Sequence, residues 1–76
     1  MVAWVLVQTE VGAVGRVAEA IRKVKGVKSA EEVAGPYDVV VRAEASDLDL
    51  LGRLVVREIQ GIEGVTRTLT CPIIHL

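Results

Sequence analysis

The chain contains no phenylalanine, one tryptophan, one tyrosine, one cysteine and one histidine among its 76 residues. Each scarcity removes a class of protein. A lone Cys71 cannot close an internal disulfide, and Cys71 with His75 is too small a donor set for a structural metal site. No metal or other cofactor is expected. No serine, histidine and acid fall into a triad, and Gly12-Ala13-Val14-Gly15 lacks the pattern of a phosphate-binding loop. The net charge of −1 is not that of an electrostatic nucleic-acid binder, so no direct nucleic-acid binding is expected. No apolar run approaches the ~20 residues of a membrane span. Met1 leads straight into Val2–Val7 with no basic n-region and no cleavage site, which makes the cytoplasm the expected compartment.

What is present is a single small domain, residues 1–76. At this size folding hides only about 60% of the unfolded surface, and without a disulfide or metal the remaining support is association. With 51% hydrophobic residues the composition favours it. The two halves also echo each other. Val5-Leu6-Val7-Gln8-Thr9-Glu10 resembles Val39-Val40-Val41-Arg42-Ala43-Glu44, Gly15-Arg16 recurs as Gly52-Arg53, and Gly26-Val27 recurs as Gly64-Val65. Each half reads as strand, helix, glycine stop, strand.

The first helix carries Val14, Val17, Ala18, Ile21 and Val24 on one stripe, with Glu19 and Lys23 paired on the other side. Gly26 fits a C′ residue after the basic turn Arg22-Lys23-Val24-Lys25. The second helix opens at Ser46-Asp47-Leu48-Asp49, a capping-box variant, and its stripe runs through Leu48, Leu51, Leu54, Val55 and Ile59. Residues 2–7 and 39–41 are apolar on both faces, as interior strands are. Residues 27–34 and 65–74 are more polar, and Pro72 in the latter marks an edge. Two interior and two edge strands predict an α+β, ferredoxin-like β-α-β-β-α-β fold, with a four-stranded antiparallel sheet in the order 4-1-3-2 and both helices on one face. Val39, Val41, Ala43 and Ala45 would meet the helices. The other face stays bare and apolar, and the sheet is expected to dimerise through it.

Gly35-Pro36-Tyr37-Asp38 is the chemically loaded turn: a tight bend, a flat ring and a carboxylate at the mouth of a buried strand. Alternation puts Asp38 on the helix-free side. On the last strand it groups Thr66, Thr68 and Thr70 against Val65, Leu69 and Cys71, and the second set is the more natural core face. The threonines would then point away from the helices, as Asp38 does, while Cys71 would be packing. Threonine is also common on edge strands and aspartate commonly ends turns, so residue type alone leaves both a site and an ordinary strand end open. The third and fourth strands are separated by the first, roughly 9–10 Å. Asp38 and the threonines would therefore cooperate only across subunits.

These motifs resemble the Lrp/AsnC family of transcription regulators. Gly35-Pro36-Tyr37-Asp38 before a valine strand is similar to its Gly-x-(aromatic)-Asp hairpin, and Gly64-Val65 followed by Thr68-Leu69-Thr70 is similar to its Gly-Val…Thr-x-Thr final strand. The resemblance covers residue 2 to about 74 and implies the family's effector-binding RAM domain. It implies sheet-to-sheet homodimers that assemble into rings, commonly octamers, with amino acids bound between dimers. By position it makes Gly35, Tyr37, Asp38, Thr68 and Thr70 the ligand contacts. Typical members also carry an N-terminal winged helix-turn-helix, which is not in this sequence. A stand-alone RAM domain is therefore expected, one that would reach DNA only by co-assembling with a full-length relative.

Two alternatives share the fold. An ACT domain would bind its amino acid at the first strand–helix junction, Thr9-Glu10-Val11-Gly12. A small dimeric α+β-barrel enzyme would need a cavity rich in aromatic and ionisable groups, and Trp4 and Tyr37 are the chain's aromatics.

Overall fold

Alternation along the two most apolar strands decides the architecture. In the computed structural model, which describes residues 1–75, the elements run β1 (Val2–Thr9), α1 (Val14–Arg22), β2 (Val27–Glu32), β3 (Val39–Glu44), α2 (Leu48–Arg53) and β4 (Val65–Pro72). Between α2 and β4 the helix continues as a π-helical segment, Leu54–Ile59. The sheet is antiparallel in the order β2-β3-β1-β4, the expected 4-1-3-2 read from the other end. Val5, Val7, Val39 and Val41 are opposed in register on β1 and β3 and fully buried, together with Ala3 and Ala43. They share one core with Val17, Ala18 and Ile21 of α1 and with Leu51, Val55 and Ile59 of the second helix. The chain is thus α+β and ferredoxin-like, with its helices on one face of the sheet.

The second helix begins within the Ser46–Asp49 stretch, one residue later than a capping box from Ser46 to Asp49 would put it. Asp47 is its N-cap, and its carboxylate accepts from the Leu50 N–H at 2.8 Å, which satisfies a donor the first turn would otherwise leave free. It then changes pitch: the Gln60 N–H donates to the Val55 carbonyl at 2.8 Å, a π-type ring. Leu48, placed on the buried stripe from sequence, is 57% exposed.

The two edge strands each carry a bulge. On β2 the register steps from Val27 opposite Ala43 to Ser29 opposite Arg42, leaving Lys28 unpaired. On β4 it steps from Val65 opposite Thr9 to Arg67 opposite Gln8, leaving Thr66 unpaired. An inserted residue flips every side chain beyond it to the other face. This overturns the expected facing of β4. Thr68 and Thr70 lie opposite the buried Val7 and Val5 and so face the helices. Leu69 and Cys71 lie opposite Leu6 and Trp4 on the open face, where both are exposed. Val65 does pack against the core, as expected; counting by twos from it fails only because of Thr66.

Candidate functional site

The turn before β3 is fastened to the end of β1. The Asp38 N–H donates to the Val7 carbonyl at 2.9 Å, and the Val33 N–H donates to the Asp38 carbonyl at 2.9 Å. The Gln8 side-chain amide donates to the Pro36 carbonyl at 2.8 Å. The Asp38 carboxylate turns toward β1, where Oδ2 accepts from the Thr9 N–H at 2.8 Å and from the Thr9 hydroxyl at 3.3 Å. Bonds to a charged acceptor are the stronger kind, so the corner is held in place by its own hydrogen bonds.

Acceptor and donor groups of this corner are left over. The hydrogen bonds of the half-buried Asp38 carboxylate all fall on Oδ2, leaving Oδ1 without a donor among the described residues. In the turn, the Gly35 and Tyr37 N–H groups take no partner among the described residues. Gly35 is exposed and Tyr37 half-buried. The corner therefore offers a carboxylate oxygen and backbone donors within one short loop, which is chemistry suited to a zwitterion.

Thr68 and Thr70 are not part of that corner. They line a groove of about 420 Å³ between β4 and the second helix, with Leu51, Val55, Val56 and Pro72 nearby. The Thr68 hydroxyl accepts from the Gln60 side-chain amide at 2.7 Å. The structure thus brings Gly35, Tyr37 and Asp38 together and sets the two threonines beyond β1, on the helix side of the sheet. Thr9, Gln8 and Gln60 were not singled out as partners of these groups from sequence. The available signal was polarity: Gln8 and Thr9 interrupt an apolar run at its end, where something must receive them.

The alternative junction lies beside the same corner, since Thr9 is the residue that Asp38 binds. There the Ala13 N–H donates to the Glu10 carbonyl at 3.0 Å, Gly12 has φ +82°, and Val11 is fully exposed. On the open face, Arg42 stacks over the Trp4 ring at 5.6 Å, and the exposed Leu69 lies on the same face opposite Leu6. Among the described residues no group of three or more metal-ligating side chains converges, and no helix is long and apolar enough to cross a membrane.

The chain is thus a ferredoxin-like sheet whose Gly35–Asp38 turn is tied to the end of β1. The family model of the Lrp/AsnC ligand binding domain matches residues 2–75, and the chain belongs to that family as a regulatory domain related to the Lrp/AsnC regulators. It is 36% identical over 55 residues to a helix-turn-helix-type transcriptional regulator of Pyrococcus abyssi, a match covering 72% of this chain and 37% of the relative. It is also 38% identical over 47 residues to a homocitrate synthase of Sulfurisphaera tokodaii, covering 62% of this chain and 10% of the enzyme. The chain thus spans little more than a third of the curated regulators it matches. A solved structure from Thermus thermophilus superposes with a TM-score of 0.93 at 32% identity, over 99% of this chain and 94% of that one. The fold is also that of a transcriptional regulator of Neisseria meningitidis solved in complex with L-Met, with a TM-score of 0.86 at 18% identity over 97% of this chain and 49% of that one.

Proposed function

We propose that this domain is a non-catalytic cytoplasmic sensor of a small amino acid or a metabolite with the same ammonium and carboxylate, acting as an oligomer of itself. The observation that carries the reading is the Asp38 corner, where one carboxylate oxygen is committed to Thr9 and the other takes no donor among the described residues. That second oxygen accepts from the ligand ammonium. The Gly35 and Tyr37 N–H groups bind its carboxylate from the same subunit, and Tyr37 walls the site. Thr68 and Thr70 contribute from a neighbouring subunit, whose groove faces the corner across a subunit boundary. Dimers form through the open face around Trp4 and Leu69 and assemble further into an octamer-like ring.

Three comparisons support the reading. The matched family is described as a ligand binding domain, and the Neisseria regulator holds L-Met. That a related segment forms a tenth of a synthase supports a module that senses rather than one that reads DNA. A full-length regulator of the family is a candidate partner for co-assembly.

Calorimetry with a panel of the standard amino acids tests this. Asp38→Asn is the informative variant, because its amide oxygen can still accept from Thr9 while the charge is gone. A charge-assisted bond is worth about 1.5–3 kcal/mol, so Asp38→Asn is expected to weaken binding by about ten- to a hundredfold. Binding that survives the substitution unchanged removes Asp38 from the site.

A further inference from the structure

A second groove shares no lining residue with the Asp38 corner or with the groove of Thr68 and Thr70. It has a volume of about 530 Å³ and separates the C-terminal end of α1 from the second helix. Lys23 and Lys25 border it on one side, Arg53 and Arg57 on the other, with Glu58 the acid among its lining residues. Four of the nine lysines and arginines of the chain therefore collect around one depression. Among the described residues the ion pairs are made by Arg22 and Lys28 instead, and none of these four cations is in one.

The lining is apolar as well as basic. Val24, Leu50 and Leu54 contribute to it, and Leu50 is 45% exposed. Across the ridge made by Arg53 and Arg57 lies a second depression of about 490 Å³, bordered by Leu48, Asp49, Gly52 and Val56; Leu48, Gly52 and Val56 also line the groove of Thr68 and Thr70. Leu48 and Val56 are 57% and 60% exposed. Gly52 has open space where a side chain would stand. The ridge includes the start of the π-helical segment, a backbone form that recurs at functional sites.

We infer that this helix face docks an acidic amphipathic helix of a partner protein, its apolar stripe on Leu50 and Leu54 and its carboxylates on Lys23, Lys25, Arg53 and Arg57. Charge complementarity selects the sign of the occupant, and the exposed apolar side chains select a helix with a stripe over a bare polyanion. A second copy of this chain does not supply it. Over Val14–Arg22 the charges are Arg16, Glu19 and Arg22, and over Leu48–Ile59 they are Asp49, Arg53, Arg57 and Glu58, so neither helix is acidic.

The test titrates the full chain with a synthetic helical peptide of ~15 residues, leucines on one stripe and glutamates flanking it, followed by amide chemical shifts. Its controls are the same peptide with lysines for glutamates, a scrambled acidic peptide and a DNA duplex. The acidic striped peptide is expected to perturb Lys23, Leu50, Arg53 and Arg57, and to bind at least about tenfold more tightly than either peptide control. Arg53→Glu with Arg57→Glu should remove that preference while leaving amino-acid binding at Asp38 unchanged. Equal binding of the scrambled acidic peptide, or DNA mapping to the same residues with equal affinity, would overturn the assignment. Absence of shifts at the groove with any peptide would do the same.

Discussion

The two halves of the chain build the same corner and then use it differently. In the first half the glycine after the helix, Gly26, has φ +98°; in the second, Gly64 has φ +103°. The Gly26 carbonyl accepts from the Glu44 N–H at 2.8 Å, and the Gly64 carbonyl accepts from the Glu10 N–H at 2.8 Å, Glu10 and Glu44 being equivalent in the repeat. Each glycine is followed by a valine opposite an equivalent residue, Ala43 or Thr9, and then by the bulged residue, Lys28 or Thr66. Each also packs on the opposite half: Gly26 lies under Leu54, and Gly64 under Val17. The halves part at their helices. α1 is regular, whereas its counterpart shifts to π geometry and carries Leu48, Leu50 and Val56 in solvent. Backbone duplication thus supplies the frame, and departures from it mark where surface chemistry was added.

The sharpest way to break this equivalence is to substitute both glycines. A Cβ on Gly26 would stand 2.6 Å from Leu54 Cδ1 and 3.0 Å from the Glu44 carbonyl oxygen. On Gly64 it would stand 2.9 Å from Arg16 Nη2, 3.0 Å from Val17 Cγ2 and 3.2 Å from Ala13 Cβ. A left-handed backbone costs about 1–2 kcal/mol for an alanine, and crowding adds about 1–3 kcal/mol. Gly26→Ala and Gly64→Ala should each destabilise by about 2–5 kcal/mol in urea unfolding, and by similar amounts. A cost confined to one of them would mean the turns are alike in shape but not in role.

The frame was legible in the sequence because it rests on period and on punctuation. The doubly apolar runs of β1 and β3, the capping stretch Ser46–Asp49 and the paired glycines each have a local physical cause that a reader can count. The facing of β4 was not legible, because a bulge changes the parity of the count without changing any residue type. Val65 was read correctly and Leu69 and Cys71 wrongly from the same alternation. The register of β1, not the composition of β4, turns Thr68 and Thr70 toward the helices. At the site, Gly35, Tyr37 and Asp38 were legible as a loaded turn. The tie from Asp38 to Thr9 was hidden, because it joins residues 29 positions apart through the pairing of β1 with β3.

A smaller effect sharpens the same comparison at one pair of positions. Counting from the bulges, Ala30 on β2 is the counterpart of Thr68 on β4. Ala30 is opposite Val41 and 1% exposed, and its carbonyl accepts from Arg22 Nε at 3.0 Å. A threonine there adds a methyl and a hydroxyl to filled space. Ala30→Thr should cost about 1–3 kcal/mol, read as a lower urea midpoint at an unchanged slope. If it is tolerated without loss, the space under β2 is as open as the groove under β4, and the halves are more alike than their burial says.

The reverse exchange, Thr68→Ala, carries the smallest effect. Thr68 is half-buried at the rim of a groove, and its hydroxyl binds the exposed Gln60 amide at 2.7 Å. Removing an ordinary hydrogen bond costs about 0.5–1.5 kcal/mol, and solvent can re-satisfy Gln60, so the low end is expected. The value of the measurement lies in its pairing with ligand binding. A threonine kept for packing would lose stability and leave amino-acid affinity untouched. A threonine that reaches a ligand in the neighbouring subunit would lose little stability and weaken binding by about tenfold. Because the groove is on the helix side while Asp38 sits at the end of β3, that second outcome requires the affinity loss to depend on protein concentration. A loss that persists unchanged upon dilution to the monomer would place both groups in one subunit's site, which the order β3-β1-β4 does not allow.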